Sequence, residues 1–182
     1  MNRISRNHLV FAASVFGVLV FSGVVAASLL GLVPSPFSSE KTGFSDEYAL
    51  VLQDMQGNEV RLSEYKNDIL VAYVWASWCP YCAQEIDNLA ALKQQYGERI
   101  QVLAINRSEP KAVAQAYIAQ LPHVSGVTFL LDPNDAFFKQ VGGYAMPETM
   151  FIRGRGEVVF HQRGPMQIDE VTTHLDELLK AR

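Results

Sequence analysis

The chain carries two cysteines, Cys79 and Cys82, and what flanks them constrains the fold most. Ahead of them, residues 69–75 form an unbroken apolar run rich in β-branched and aromatic side chains, the pattern of a strand buried on both faces. Behind them, Ile86, Leu89, Ala90 and Leu92 share one face of a helix predicted over 85–96, which Gly97 ends. A second buried strand follows over 100–105, parallel to the first if the helix is a crossover. A strand feeding a helix feeding a strand is the start of an α/β architecture.

The rest of the chain completes that pattern. Alternation over 48–53 and again over 59–62, around the turn residues Gln56-Gly57-Asn58, predicts an N-terminal hairpin. A helix is expected over 111–121, stopped by Pro122, then a short strand over 127–131. Asp132-Pro133-Asn134-Asp135 opens a short helix through Val141, closed by Gly142-Gly143. Strands over 148–153 and 157–162 form a hairpin around Gly154-Arg155-Gly156. A terminal helix over 167–180 has Ile168, Val171, Leu175, Leu178 and Leu179 on its apolar side. The order of elements predicts an α/β sandwich around a mixed central sheet.

The N-terminal region is of a different kind. No charged side chain occurs from Leu9 to Ser39, and residues 9–33 form an apolar stretch long enough to span a hydrocarbon core of about 30 Å. A cleavable signal has a shorter apolar region. Val24-Val25-Ala26 and Val25-Ala26-Ala27 resemble cleavage sites loosely, but length favours an uncleaved anchor. Arg3 and Arg6 orient residues 1–8 to the cytoplasm and everything beyond Val33 outside. Pro34, Pro36 and a Ser/Gly-rich stretch make 34–45 a linker, leaving 46–182 as the folded domain.

Charge and cysteine count narrow the function. Residues 40–182 hold 13 Lys and Arg against 19 Asp and Glu, a net of −6 without a basic cluster. That is not the electrostatic footprint of a nucleic-acid binder. Two cysteines three apart close too small a loop to staple a domain. As half of a zinc site they would need further ligands, and His8, His123, His161 and His174 are scattered singly. No metal is therefore expected.

The position of the pair suggests redox chemistry. Cys79 is expected near the N-cap of the helix, with Pro80 at its first position. A helix N-terminus stabilises a thiolate, the nucleophile of disulfide exchange. Cys79 is read as the exposed attacker and Cys82, one turn on and more buried, as the thiol that resolves the mixed disulfide.

The run Trp75-Ala76-Ser77-Trp78-Cys79-Pro80-Tyr81-Cys82 resembles the active-site signature of the thioredoxin superfamily, in which W-C-x-x-C follows the central strand. Cys-Pro-Tyr-Cys alone is also the glutaredoxin dipeptide; the tryptophans favour the thioredoxin side. Gly57-Asn58-Glu59-Val60-Arg61-Leu62-Ser63, Glu85 and Met146-Pro147-Glu148-Thr149 together resemble the TlpA/ResA/DsbE (CcmG) group of membrane-anchored extracytoplasmic thioredoxins. The resemblance spans 46–182, tight at the two motifs and loose elsewhere.

That resemblance implies a thioredoxin-like fold and a redox-active Cys79–Cys82 disulfide. It implies a cis peptide before Pro147, which lies against the cysteines, with Met146 touching substrate. Trp78, Pro80, Tyr81 and Thr149 are the further residues it brings to the substrate side. Ordinary thioredoxins carry a buried Asp six residues before the first cysteine, where this chain has Tyr73; in the TlpA/ResA/DsbE group a glutamate at the place of Glu85 handles the proton of the buried thiol. The alternative for Glu85 is a solvent-facing acid near a helix N-terminus. Lys66-Asn67-Asp68 and Tyr81 depart from the commoner choices of the group.

The implied activity is reduction of disulfides in extracytoplasmic client proteins, without a cofactor. Electrons would come from a membrane thiol carrier, and apocytochrome c haem-site cysteines are one client class. An oxidant or isomerase of the same fold, a thiol-based metal-delivery module and a non-catalytic docking domain are the alternatives.

Overall fold

The computed structural model describes residues 51–65, 67–153 and 156–180. The stretches read as a cytoplasmic N-terminus (1–8), an anchor (9–33) and a linker (34–45) lie outside them. Among the described residues no helix is long and apolar enough to cross a membrane.

The described residues form seven strands, β1 (Val51–Asp54), β2 (Glu59–Arg61), β3 (Ile69–Trp75), β4 (Ile100–Arg107), β5 (Val127–Asp132), β6 (Glu148–Arg153) and β7 (Glu157–Arg163). They form one sheet in the order β2-β1-β5-β4-β3-β6-β7. The central trio β3, β4 and β5 is parallel; β6 joins β3 and β1 joins β5 antiparallel, and the outer β7 and β2 pair antiparallel with β6 and β1. Helices α1 (Cys82–Tyr96), α2 (Lys111–Ile118) and α3 (Ala136–Gln140) come between strands, and α4 (Ile168–Lys180) follows β7. This is the mixed-sheet α/β architecture that the order of elements predicts, and the thioredoxin-like fold that the motif resemblance implies.

All seven residues of β3 are buried, because the strand is covered on both faces. Ile69, Val71, Tyr73 and Trp75 pack with Ile86, Leu89 and Leu92 of α1 and with Val171, Leu175 and Leu179 of α4. Leu70, Ala72 and Val74 point the other way, into a second core with Leu103, Ile105, Phe137 and Phe138. The two-residue period of a strand splits one apolar run between two cores. Trp75 is sandwiched at the top of the first core, stacked on Tyr117 at 5.2 Å and edge-on to Phe129 at 6.0 Å.

Boundaries differ from the sequence reading in instructive places. α1 begins at Cys82, with Tyr81 as its N-cap residue, so Cys79, Pro80 and Tyr81 form a turn ahead of the helix. Pro80 is therefore not the first helical residue. The turn is closed by the Cys82 N–H donating to the Cys79 carbonyl at 3.4 Å. α2 ends at Ile118, short of the predicted 121, and the chain leaves it through a tighter turn before Pro122. At the other end of α1, Gly97 adopts φ 57° and donates its N–H to the Lys93 carbonyl, the left-handed stop its lack of a Cβ permits.

Candidate active site

The parallel strands deliver the cysteines to one end of the sheet. β3 ends at Trp75, the loop 76–81 follows, and Cys82 opens α1. Cys79 and Cys82 are joined in a disulfide, with their Cα atoms 5.5 Å apart. The exposure expected of Cys79 is not found: in the disulfide form it is 3% exposed and Cys82 is 0% exposed. The surface belongs instead to the residues between and beside them, Trp78 at 63% and Tyr81 at 56%, with Pro80 also exposed. The turn directs those side chains outward and folds both sulfurs inward.

The loop is held from the end of the neighbouring strand. Ser77 donates to the Glu109 carboxylate from its N–H at 2.8 Å and from its hydroxyl at 2.6 Å, and Asn106 of β4 donates to the same carboxylate at 2.7 Å. β3 and β4 are in register, with Trp75 beside Asn106, so two loops leaving the same sheet edge meet through one acid.

Register also carries Pro147 to the cysteines' side. Val74 of β3 pairs with Glu148 of β6, which sets Pro147 at the level of Trp75, where the cysteine loop departs. The Met146–Pro147 peptide is cis, and the Pro147 carbonyl accepts from the Gly164 N–H at 2.8 Å. Met146 is half-buried and Pro147 buried. Glu148 is fully buried and holds the segment before the proline. Its Oε1 accepts from the N–H groups of Tyr144 and Ala145 at 2.7 and 2.8 Å, and its Oε2 meets His161 Nε2 of β7 at 2.7 Å. Gly143, three residues before Met146, lies so close under Phe138 that any Cβ there would strike the ring.

Glu85 is 8% exposed, so the reading of a solvent-facing acid is excluded by its burial. It lies one turn beyond Cys82 on the same helix and accepts from the Met166 N–H at 3.1 Å. Burial pushes its carboxyl above the ordinary glutamate range; the Met166 N–H and the Tyr73 hydroxyl pull the other way. A small crevice lined by Glu85, Asn88, Leu89, Thr149, Met166, Ile168 and Val171 connects it towards solvent. Thr149, expected on the substrate side, is 2% exposed and lines this crevice instead, because it is the β6 residue paired with Tyr73 inside the sheet.

Four features escaped the sequence reading. Tyr73 stands against Glu85, and a polar tip in an otherwise apolar strand was the signal for it. Glu109 and the Glu148–His161 pair act between segments far apart in sequence, and nothing local marks them. Tyr144, 79% exposed with the Arg163 guanidinium 5.1 Å from its ring centre, adds an aromatic side chain to the loop before Met146. Among the described residues no group of three or more His, Cys, Asp or Glu side chains is arranged to hold a metal ion.

Comparison with known proteins agrees with this geometry. The family described as Redoxin matches residues 37–178. The thiol-disulfide oxidoreductase ResA of Geobacillus kaustophilus is 27% identical over 161 residues, covering 85% of this chain and 90% of that protein. The thiol:disulfide interchange protein HelX of Rhodobacter capsulatus is 27% identical over 167 residues, covering 89% and 92%. Among solved structures, the exposed lipoprotein thioredoxin of Streptococcus pneumoniae superposes with a TM-score of 0.63 at 24% identity, covering 70% of this chain and 98% of that one.

Proposed function

The chain belongs to the Redoxin family, and from that premise we propose that it is a reductase of protein disulfides held at the outer face of a membrane. Thiol–disulfide oxidoreductase chemistry is common to its relatives ResA and HelX, and the Cys79–Cys82 disulfide is the group that performs it. The observation that carries the reading is this disulfide at the end of β3, with a buried carboxyl one turn behind it and exposed aromatic side chains around it.

In the reduced protein the Cys79 thiolate attacks a sulfur of the client disulfide, forming a mixed disulfide and releasing one client thiolate. The Cys82 sulfur then attacks Cys79 Sγ, releasing the second client thiolate and leaving the Cys79–Cys82 bond. Two electrons have passed to the client. Attack by Cys82 requires loss of its proton inside a buried site, and Glu85 takes it and passes it to the crevice. Trp78, Tyr81, Met146 and Tyr144 offer the client an apolar rim, and Pro80 and cis-Pro147 shape the gap between them. A membrane dithiol carrier returns the enzyme to its reduced form. The 9–33 stretch serves as the anchor, with the redox domain extracytoplasmic, and the haem-site cysteines of apocytochrome c are the client class that the TlpA/ResA/DsbE resemblance favours.

The test is the reduction potential of the Cys79–Cys82 couple in the full chain, titrated against defined thiol buffers. A value near that of thioredoxin, about −270 mV, or a little above it, is expected of a reductase. A value near that of DsbA, about −120 mV, would replace the reading with that of an oxidant.

A further inference from the structure

Directly behind the cysteines lies a buried group that the exchange chemistry above leaves unused. Tyr73, at the centre of β3, is 0% exposed, flanked across the sheet by Ala104 of β4 and Thr149 of β6. Its hydroxyl is among the buried polar atoms that lack a hydrogen bond of full geometry among the described residues. A buried hydroxyl without a partner destabilises a fold, and phenylalanine would fill the same space without that cost. The hydroxyl is aimed at something. It lies against the Glu85 carboxyl, close enough for each to influence the other's proton.

The groups facing Glu85 come from three segments. Tyr73 approaches from β3, the Met166 N–H from the segment before α4, and Cys82 stands one turn back on α1. Beyond Tyr73 lies Tyr117 of α2, whose own hydroxyl faces the Ala83 N–H at the start of α1. Burial alone favours a neutral Glu85, and a neutral carboxyl cannot accept a proton from Cys82. A hydrogen bond donated to the ionised form opposes that effect.

We propose that Tyr73 is a positioning residue for Glu85, its hydroxyl donating to the carboxylate, favouring its ionised form and directing it at Cys82. The proton then moves from the Cys82 thiol to the Glu85 carboxylate, giving a Cys82 thiolate and a neutral Glu85, and departs through the crevice. The inference rests on the role of Glu85 in the proposed reduction cycle.

The experiment uses the reduced full chain in detergent and glutathione disulfide as the oxidant, at concentrations where the rate no longer rises. The rate of Cys79–Cys82 disulfide formation is followed against pH for the wild type, Tyr73→Phe, Glu85→Gln and the double variant. Tyr73→Phe is expected to move the acidic limb upward by about half to one pH unit, with the high-pH plateau within about twofold of wild type. In the Glu85→Gln background it is expected to change nothing. A Tyr73→Phe profile superimposed on wild type overturns the proposal, as does an equal shift in the Glu85→Gln background. If Glu85→Gln itself leaves the profile unaltered, the role of Glu85 falls and this inference with it; if only Tyr73→Phe is silent, the role of Glu85 stands and this inference alone falls. Titration of the Glu85 carboxyl by carbon NMR in the oxidised protein gives a second reading free of turnover. There Tyr73→Phe is expected to raise the midpoint, and an unchanged midpoint overturns the proposal.

Discussion

Ser77 donates twice to Glu109, from its backbone N–H and from its hydroxyl, across 32 positions of sequence. The contact fixes the loop between the central strand and the cysteines, and Asn106 donates to the same carboxylate. Glu109→Ala leaves these donors without an acceptor in a half-buried site, a loss of roughly 1–3 kcal/mol. Glu109→Gln can still accept from Ser77 and Asn106 with its oxygen while its amide donates to the Ser77 hydroxyl. The alanine variant is therefore expected to lose at least twice the stability of the glutamine variant, measured by urea unfolding. It is also expected to slow client reduction by about tenfold, because the attacking sulfur is less well placed. Equal losses in both variants would mean that charge rather than bonding holds the loop.

The order of the two cysteines in the cycle has a direct readout. Cys82→Ser is expected to accumulate a mixed disulfide between Cys79 and the client, visible by mass and removed by reductant. Cys79→Ser is expected to abolish turnover and to trap nothing. A mixed disulfide that forms through Cys82 in the Cys79→Ser protein would reverse the assignment.

Glu85 also ties stability to pH. Its folded-state pKa is raised by burial above its unfolded value, so the folded protein holds that proton more tightly. The resulting stabilisation is complete below the ordinary glutamate value and is lost as pH rises through the raised value. The stability of wild type relative to Glu85→Gln should therefore fall as pH rises above the ordinary glutamate range, about pH 4, as followed by urea midpoints of the oxidised proteins. Asp132, whose pKa burial also raises, is present in both proteins and cancels. A relative stability that rises over the same range would contradict the burial of Glu85.

The Glu148–His161 contact braces the segment that leads into cis-Pro147. Glu148 is 0% exposed and the His161 side chain is 13% exposed, so neither end is free to water as a surface pair would be. Glu148→Ala strands His161 and the N–H groups of Tyr144 and Ala145, and is expected to cost about 3–5 kcal/mol. His161→Ala keeps the two N–H donors and is expected to cost less, with KM for the client rising more than kcat falls. Unfolding midpoints and steady-state rates separate the two effects. A Glu148→Ala protein as stable as wild type would show that this contact does not brace the segment.

How far the sequence reached depended on whether a signal was local. The bounds of β3 were legible to the residue, because a fully buried strand needs seven apolar positions in succession. The hairpin of β1 and β2, the stop at Gly97 and the pairing of β6 with β7 were legible from turn chemistry in the same way. The start of α1 was not. Pro80 suits a first helical turn, yet the disulfide and the Cys82-to-Cys79 bond fold residues 79–81 into a separate turn.

The sequence by itself determined the chemistry: two thiols three apart, on the path from a buried strand to an amphipathic helix, with an acid one turn further on. Those are facts of spacing, and helix and strand periods turn spacing into geometry. Only the tertiary structure decided what surrounds the thiols. Burial of Cys79 and Glu85, the reach of Glu109 to Ser77, the bracing of the Pro147 segment by Glu148 and His161, and the approach of Tyr73 to Glu85 each join residues from different elements. Such contacts depend on sheet order and register, which bring distant segments to one edge and exclude water there, and that exclusion shifts the proton affinity of a buried carboxyl.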